Sequence, residues 1–245
     1  KQKTAYEMLR SLVGSEMCIR DSFYIASLIG FLPSFGILYF IWGKMEGYFN
    51  EKALFFNYFI GWLMGIVIAV FFLLIKSSVF NLLDLSIISL IFFAIFTEMF
   101  KFIYLNMPSK RELKEIPYHG FSLGLGIGAI WSVALIYQYF ISAPLSQKDY
   151  ILASLCFLLF SLSLSSIHAS TGTWIGEGII RKNSEASLLK AFLAQILFNL
   201  TLLPIVWGFS PLWYLGGIFI SLPLLYYKVY RGYLLKVKGK RRSAA

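Results

Sequence analysis

Histidine and cysteine are scarce in this chain, with two of each, and acidic residues number 12 against 22 basic ones. The cysteines, Cys18 and Cys156, give no disulfide framework and no zinc-ligand spacing. Charged residues make up only 14% of the chain, whereas 58% is hydrophobic. Mean hydropathy is +0.73, more apolar surface than a soluble domain of this length could bury. The apolar/polar alternation of a membrane β-barrel is absent, because the apolar runs are continuous. No internal repeat is visible, which counts against an inverted-repeat transporter. The net charge of +10 lies in loops and in the C-terminal run KVKGKRR. That placement reads as an orientation signal and a contact with anionic lipid, not as a nucleic-acid surface.

What is present is a series of runs long enough to cross a bilayer, which needs about 20 apolar residues each. Seven spans are expected: Phe23–Trp42, Leu54–Ile75, Asn81–Asn106, Gly120–Ser142, Tyr150–Ile179, Leu188–Trp207 and Pro211–Tyr230. The fold class is therefore all-α, a polytopic transmembrane helical bundle of about seven spans, with residues 23–235 as one membrane domain. Pro33 and Pro223 can kink their helices without ending them. The first 22 residues, KQKTAYEMLRSLVGSEMCIRDS, differ in kind and hold seven of the 34 charges. They lack the apolar core of a signal peptide. They resemble a translated sequencing adapter, so residues 1–22 are expected not to be native protein.

Basic residues set the expected orientation. The tail, residues 236–245, holds Lys236, Lys238, Lys240, Arg241 and Arg242 and is placed in the cytoplasm. Counting back, Arg181 and Lys182, then Lys110, Arg111 and Lys114, then Lys44 and Lys52 fall on the same side. The opposite loops hold only Lys76 and Lys148. The expected location is the cell membrane, with the lipid bilayer as the first partner.

Ionisable groups are expensive inside a bilayer, so those in the spans carry the functional signal. Glu98 and Lys101 are spaced i, i+3 in span 3, and His168 lies in span 5. Gln195 and Asn199 are spaced i, i+4 in span 6. All fall roughly 10–17 Å from the inner end at 1.5 Å per residue, so one polar site from spans 3, 5 and 6 is possible. Gly120, Gly124 and Gly128 repeat on one face of span 4 and suit close helix packing. His119 reads as interfacial, and Asp84 as snorkelling to water. The serines Ser161, Ser163, Ser165 and Ser166 lack the base and oxyanion site that nucleophilic catalysis needs.

The order of these motifs resembles the PrsW-like intramembrane proteases, relatives of the CAAX-prenyl-protease and bacteriocin-processing group. The matching stretches are TEMFK (Thr97–Lys101), GLGIGAIWS (Gly124–Ser132), HAST (His168–Thr171) and QILFN (Gln195–Asn199). The resemblance covers roughly Asn81–Leu203. It implies an intramembrane endopeptidase acting on a membrane-anchored protein substrate. Glu98 and His168 would be catalytic, Lys101, Gln195 and Asn199 supporting. Glu98, His168 and Asn199 would hold a divalent metal, zinc by analogy. Three positions depart from the resembled pattern: Thr97 and Trp131 stand where it has Glu, and Gln195 where it has His. A catalytic metal takes three strong protein ligands and keeps one position open. The alternatives are a catalytically inactive scaffold or binding protein on the same fold, and a small-molecule transporter using the same polar residues.

Overall fold

The computed structural model describes residues 5–45, 50–78, 86–110, 113–142, 147–203 and 211–234. Six helices run in order: α1 (Ala5–Met45), α2 (Glu51–Ser78), α3 (Ser86–Leu105), α4 (Ile116–Ser142), α5 (Gln147–Ile180) and α6 (Ser184–Leu200). A 3₁₀ segment (Pro211–Gly217) leads into α7 (Ile218–Leu225), which widens into π-helix over Tyr226–Leu234. No strand occurs among the described residues. Five helices, α1 to α5, are long and apolar enough to cross a membrane. The sixth and seventh expected spans are shorter: α6 has 17 residues, and α7 only 8 before the helix changes type. The change follows Pro223, which cannot donate to the α-helical ladder. Upstream of Asp21, α1 continues through the adapter-like stretch, whose side chains are outside those described. Asp84 and the basic tail also fall outside the described residues.

α4 is the central helix. Its apolar span is 78% buried, against 22% for that of α3. Glycines explain how α4 gains neighbours on two sides at once. On one side Gly120 abuts Gly172, Gly124 abuts the His168 carbonyl, and Gly128 lies against Ser165 of α5. On the other side Gly126 meets the Tyr58 carbonyl, and Gly61 of α2 meets the Leu123 carbonyl. Only hydrogen at those Cα positions lets the backbones approach so closely. Ser122 adds a hydrogen bond from its Oγ to the Leu54 carbonyl, 2.5 Å, across the same seam. α1 covers a third side, with Gly30 against Val133 and with its carbonyl taking the Ser161 hydroxyl at 2.8 Å.

The surface is largely apolar, and the interior, itself mostly apolar, also takes in many of the polar side chains. Leu28, Leu32, Val67, Ile88, Ile103, Leu155, Leu193 and Phe219 all stand exposed. Buried among the helices are Ser161, Ser163, Ser165, Ser166, Ser170, Thr171 and Thr173 of α5. That distribution suits a lipid surround, where polar groups must be satisfied inside the bundle. One end of the bundle gathers the starts of α2 and α4 and the end of α5. The Asn50 N–H donates to Glu115 at 3.3 Å, and Gly176 lies against Ile116 and Pro117. Glu177 there pairs with Arg181 at 2.5 Å and Lys228 at 3.7 Å, which pins the C-terminal helix to α5. The α5–α6 turn is tight, with Lys182 at φ 55° and the Asn183 N–H donating back to the Gly178 carbonyl at 2.8 Å.

Gly124→Val is expected to lower stability in detergent by about 1–3 kcal/mol or more, since its Cβ would enter the His168 carbonyl. Gly36→Ala should instead gain about 0.5–1 kcal/mol, because nothing lies within 4 Å of that Cβ. Unfolding midpoints of the two variants check the contrast.

Candidate functional site

α3 and α5 meet across a wholly buried ionic cluster. Glu98 and Lys101 share a face of α3 one turn apart, and His168 and Thr171 share a face of α5 at the same spacing. All four side chains are fully buried. The Lys101 ammonium is the hub. It donates to Glu98 Oε1 at 2.7 Å, Thr171 Oγ1 at 2.7 Å, His168 Nδ1 at 3.1 Å and the His168 carbonyl at 3.2 Å. Three protons are thus shared among four acceptors. A donated proton at Nδ1 requires a lone pair there, so the neutral ring carries its own proton on Nε2. Thr171 closes the ring, lying 3.1 Å from Glu98 Oε1 and 3.2 Å from the His168 carbonyl. Its hydroxyl accepts from Lys101 and donates to one of these two oxygens. Glu98 Oε2 and His168 Nε2 have no hydrogen-bond partner among the described residues.

The structure brings Glu98, Lys101 and His168 together, but not Asn199. The Asn199 Nδ2 donates to the Leu90 carbonyl at 3.0 Å, and its Oδ1 accepts from Gln195 Nε2 at 3.3 Å. Leu90 precedes Glu98 by eight residues, about 12 Å along α3. The expected site of spans 3, 5 and 6 is therefore two separate contacts. The reason is register: α6 begins at Ser184, four residues before the boundary read from hydropathy. Asn199 then stands about 22 Å from the start of its helix, deeper than its expected level.

This donor set does not fit a catalytic metal. Glu98 Oε1 and His168 Nδ1 both face an ammonium, which would repel a divalent cation placed beside it. Asn199, the third ligand implied by the resemblance, has its amide oxygen engaged elsewhere. Among the described residues no three of His, Cys, Asp and Glu converge. At the departing positions, Thr97 is buried with no partner for its hydroxyl among the described residues. Trp131 packs edge-on against Phe93 of α3, ring centroids 4.0 Å apart. Gln195 reaches Asn199 and leaves Oε1 without a described partner.

Of the serines of α5, Ser165 Oγ is buried without a hydrogen-bond partner among the described residues, and the others bond neighbouring groups. Ser161 bonds Gly30, Ser163 lies 2.8 Å from the Ser221 hydroxyl, and Ser166 donates to the Leu162 carbonyl at 2.6 Å. His119 sits 4% exposed in the first turn of α4, 3.9 Å from Glu115. Sequence reasoning missed Thr171 as a direct partner of Lys101. Its signal was the His168–Thr171 spacing, which repeats the Glu98–Lys101 spacing on the facing helix. No known protein family, curated protein or solved structure matches the chain.

Lys101→Met should leave the Glu98 carboxyl buried and unpaired and lower stability by about 3–5 kcal/mol. Adding Glu98→Leu should recover most of that loss, since a buried pair is often replaceable by apolar residues of similar volume. Unfolding of both variants in the same detergent measures the difference.

Proposed function

We propose that this chain is a seven-span protein of the cell membrane with a cytoplasmic C-terminus. It carries an architecture like that of the PrsW-like intramembrane proteases but not their metal chemistry, and it works by binding a membrane-anchored partner. The observation that carries this reading is the Lys101 ammonium seated between Glu98 and His168. The internal cation neutralises the carboxylate and occupies the imidazole nitrogen that faces it. Thr97, Trp131 and Gln195 support the reading, because each replaces an ionisable group of the resembled motifs. α3 supports the binding role. It bears the cluster on one side and an exposed apolar stripe, Ile88, Phe92, Ile95, Met99 and Ile103, on the other. These positions recur at the i, i+4, i+7 spacing with which one transmembrane helix meets another.

A second reading is an active intramembrane endopeptidase. It is favoured by Glu98 Oε2 and His168 Nε2, which are buried without a described partner and could hold a water. Metal content of the purified protein separates the two. The binding role expects far less than one zinc per chain, unchanged by Glu98→Gln and His168→Ala. Near-stoichiometric metal lost in both variants, with cleavage of a membrane-anchored substrate, would overturn it and establish the peptidase.

The orientation has its own test. A fluorescent protein fused after Ala245 should fluoresce, and alkaline phosphatase fused there should stay inactive; the opposite pair of results would place the tail outside.

A further inference from the structure

A groove of about 850 Å³ opens on the side of the bundle between α1 and the C-terminal helix, sharing no residue with the Glu98 network. One wall runs from Pro33 to Ile41 of α1 and the other from Leu222 to Tyr230, with Leu162 of α5 at the back. Pro33 and Ile41 are eight residues apart, so the groove is about 12 Å long. Its floor is closed, because Ile41 and Val229 are buried in one apolar cluster with Leu38. Its rim is open, because Gly36, Phe40 and Tyr226 are exposed. Nothing lies within 4 Å of the Gly36 Cβ position, so no side chain fills the middle of the groove.

The two ends differ. One turn beyond Pro33, the Ser161 hydroxyl bonds the Gly30 carbonyl at 2.8 Å and ties α1 to α5. At the other end Lys228 ties the C-terminal helix to α5. It lies 3.7 Å from Glu177 and 4.6 Å over the Trp174 ring. Among the lining side chains only Tyr226 and Tyr230 carry a polar atom, and their rings stack with centroids 5.5 Å apart. Both belong to this second end, and tyrosine suits the level where hydrocarbon gives way to headgroups. From Lys228 to Ala245 the chain holds seven basic residues and no acidic one, beginning within the groove wall.

We propose that this groove binds one acyl chain of an anionic phospholipid, with the headgroup at the Tyr230 end. The exposed rim is continuous with the apolar exterior, so a chain enters sideways without leaving the bilayer. A lining of aliphatic and aromatic side chains matches hydrocarbon along its whole length. The basic run that continues from the wall attracts a negative headgroup. A partner helix fits less well, since 12 Å is only about two helical turns. Lipid binding here needs only that α1 face the bilayer, and is independent of what the Glu98 network does.

The full chain, stripped of lipid in detergent, would be titrated with phosphatidylglycerol and with phosphatidylcholine of the same acyl chains. Native mass spectrometry counts the bound lipid. One phosphatidylglycerol per chain is expected, held about tenfold tighter than phosphatidylcholine. Gly36→Trp places an indole in the groove, and each methylene it displaces weakens binding about fourfold, so a loss of about tenfold or more is expected. Leu193→Trp, at an exposed position of α6, should stay within about twofold of wild type. Undiminished binding by Gly36→Trp, or equal weakening by both tryptophan variants, would overturn the proposal. Equal affinity for the two lipids would overturn the choice of an anionic headgroup. A lipid-free dimer that Gly36→Trp converts to monomer would give the groove to a second copy of the chain instead. If Gly36→Trp is not monodisperse, Ile37→Phe narrows the same groove, and the same outcomes decide.

Discussion

The buried Glu98–Lys101 pair and its tie to His168 and Thr171 hold the least covered span to the rest of the bundle. α3 buries only 22% of its apolar window, so apolar packing alone gives it little reason to stay in one orientation. The ionic cluster supplies that reason. An ammonium with three or four oriented acceptors on two helices fixes both rotation and register, because any slide strands a charge in an apolar interior. Asn199 bonding to the Leu90 carbonyl pins the same helix one level further along.

The same cluster bears directly on the chemistry that the resemblance implies. The carboxylate and imidazole that the motif order pointed to are adjacent in space, but their facing atoms are spent on an internal cation. Lys101 holds the facing atoms, Glu98 Oε1 and His168 Nδ1, while Glu98 Oε2 and His168 Nε2 have no hydrogen-bond partner among the described residues. An indole at position 131 fills space against Phe93, where a second carboxylate would add negative charge needing a counter-ion. The Thr171 hydroxyl accepts from Lys101 and lies within reach of Glu98 Oε1 and the His168 carbonyl, so it is engaged within the cluster.

α4 makes the cluster possible at a distance. Its glycines let α5 approach so closely that the His168 carbonyl meets Gly124, and this sets the height at which His168 and Thr171 present themselves to α3. A bulkier face on α4 would push α5 outward and open the distances at Lys101. Packing on the glycine seam and polar satisfaction at the cluster are therefore one constraint expressed on opposite faces of α5.

The sequence by itself determined the helical class. Continuous apolar runs cannot serve as half-buried strands, and the described residues form helices joined by short turns, with no strand. It also marked Glu98, Lys101 and His168 as the groups whose burial needs explanation, since ionisable residues within apolar runs are visible without any coordinates. The spacing of Gly120, Gly124 and Gly128 was equally plain, and these residues lie along the α5 seam. Tertiary structure alone decided which acceptors Lys101 uses, that Asn199 meets Leu90 and not His168, and that a groove opens between α1 and the C-terminal helix. The physical reason is that hydropathy bounds a helix only to within a turn, and one turn shifts a side chain by about 5.4 Å along its neighbour. Register is set by close contacts between helices, such as glycine against carbonyl and amide against backbone, and those depend on pairs of residues far apart in the chain.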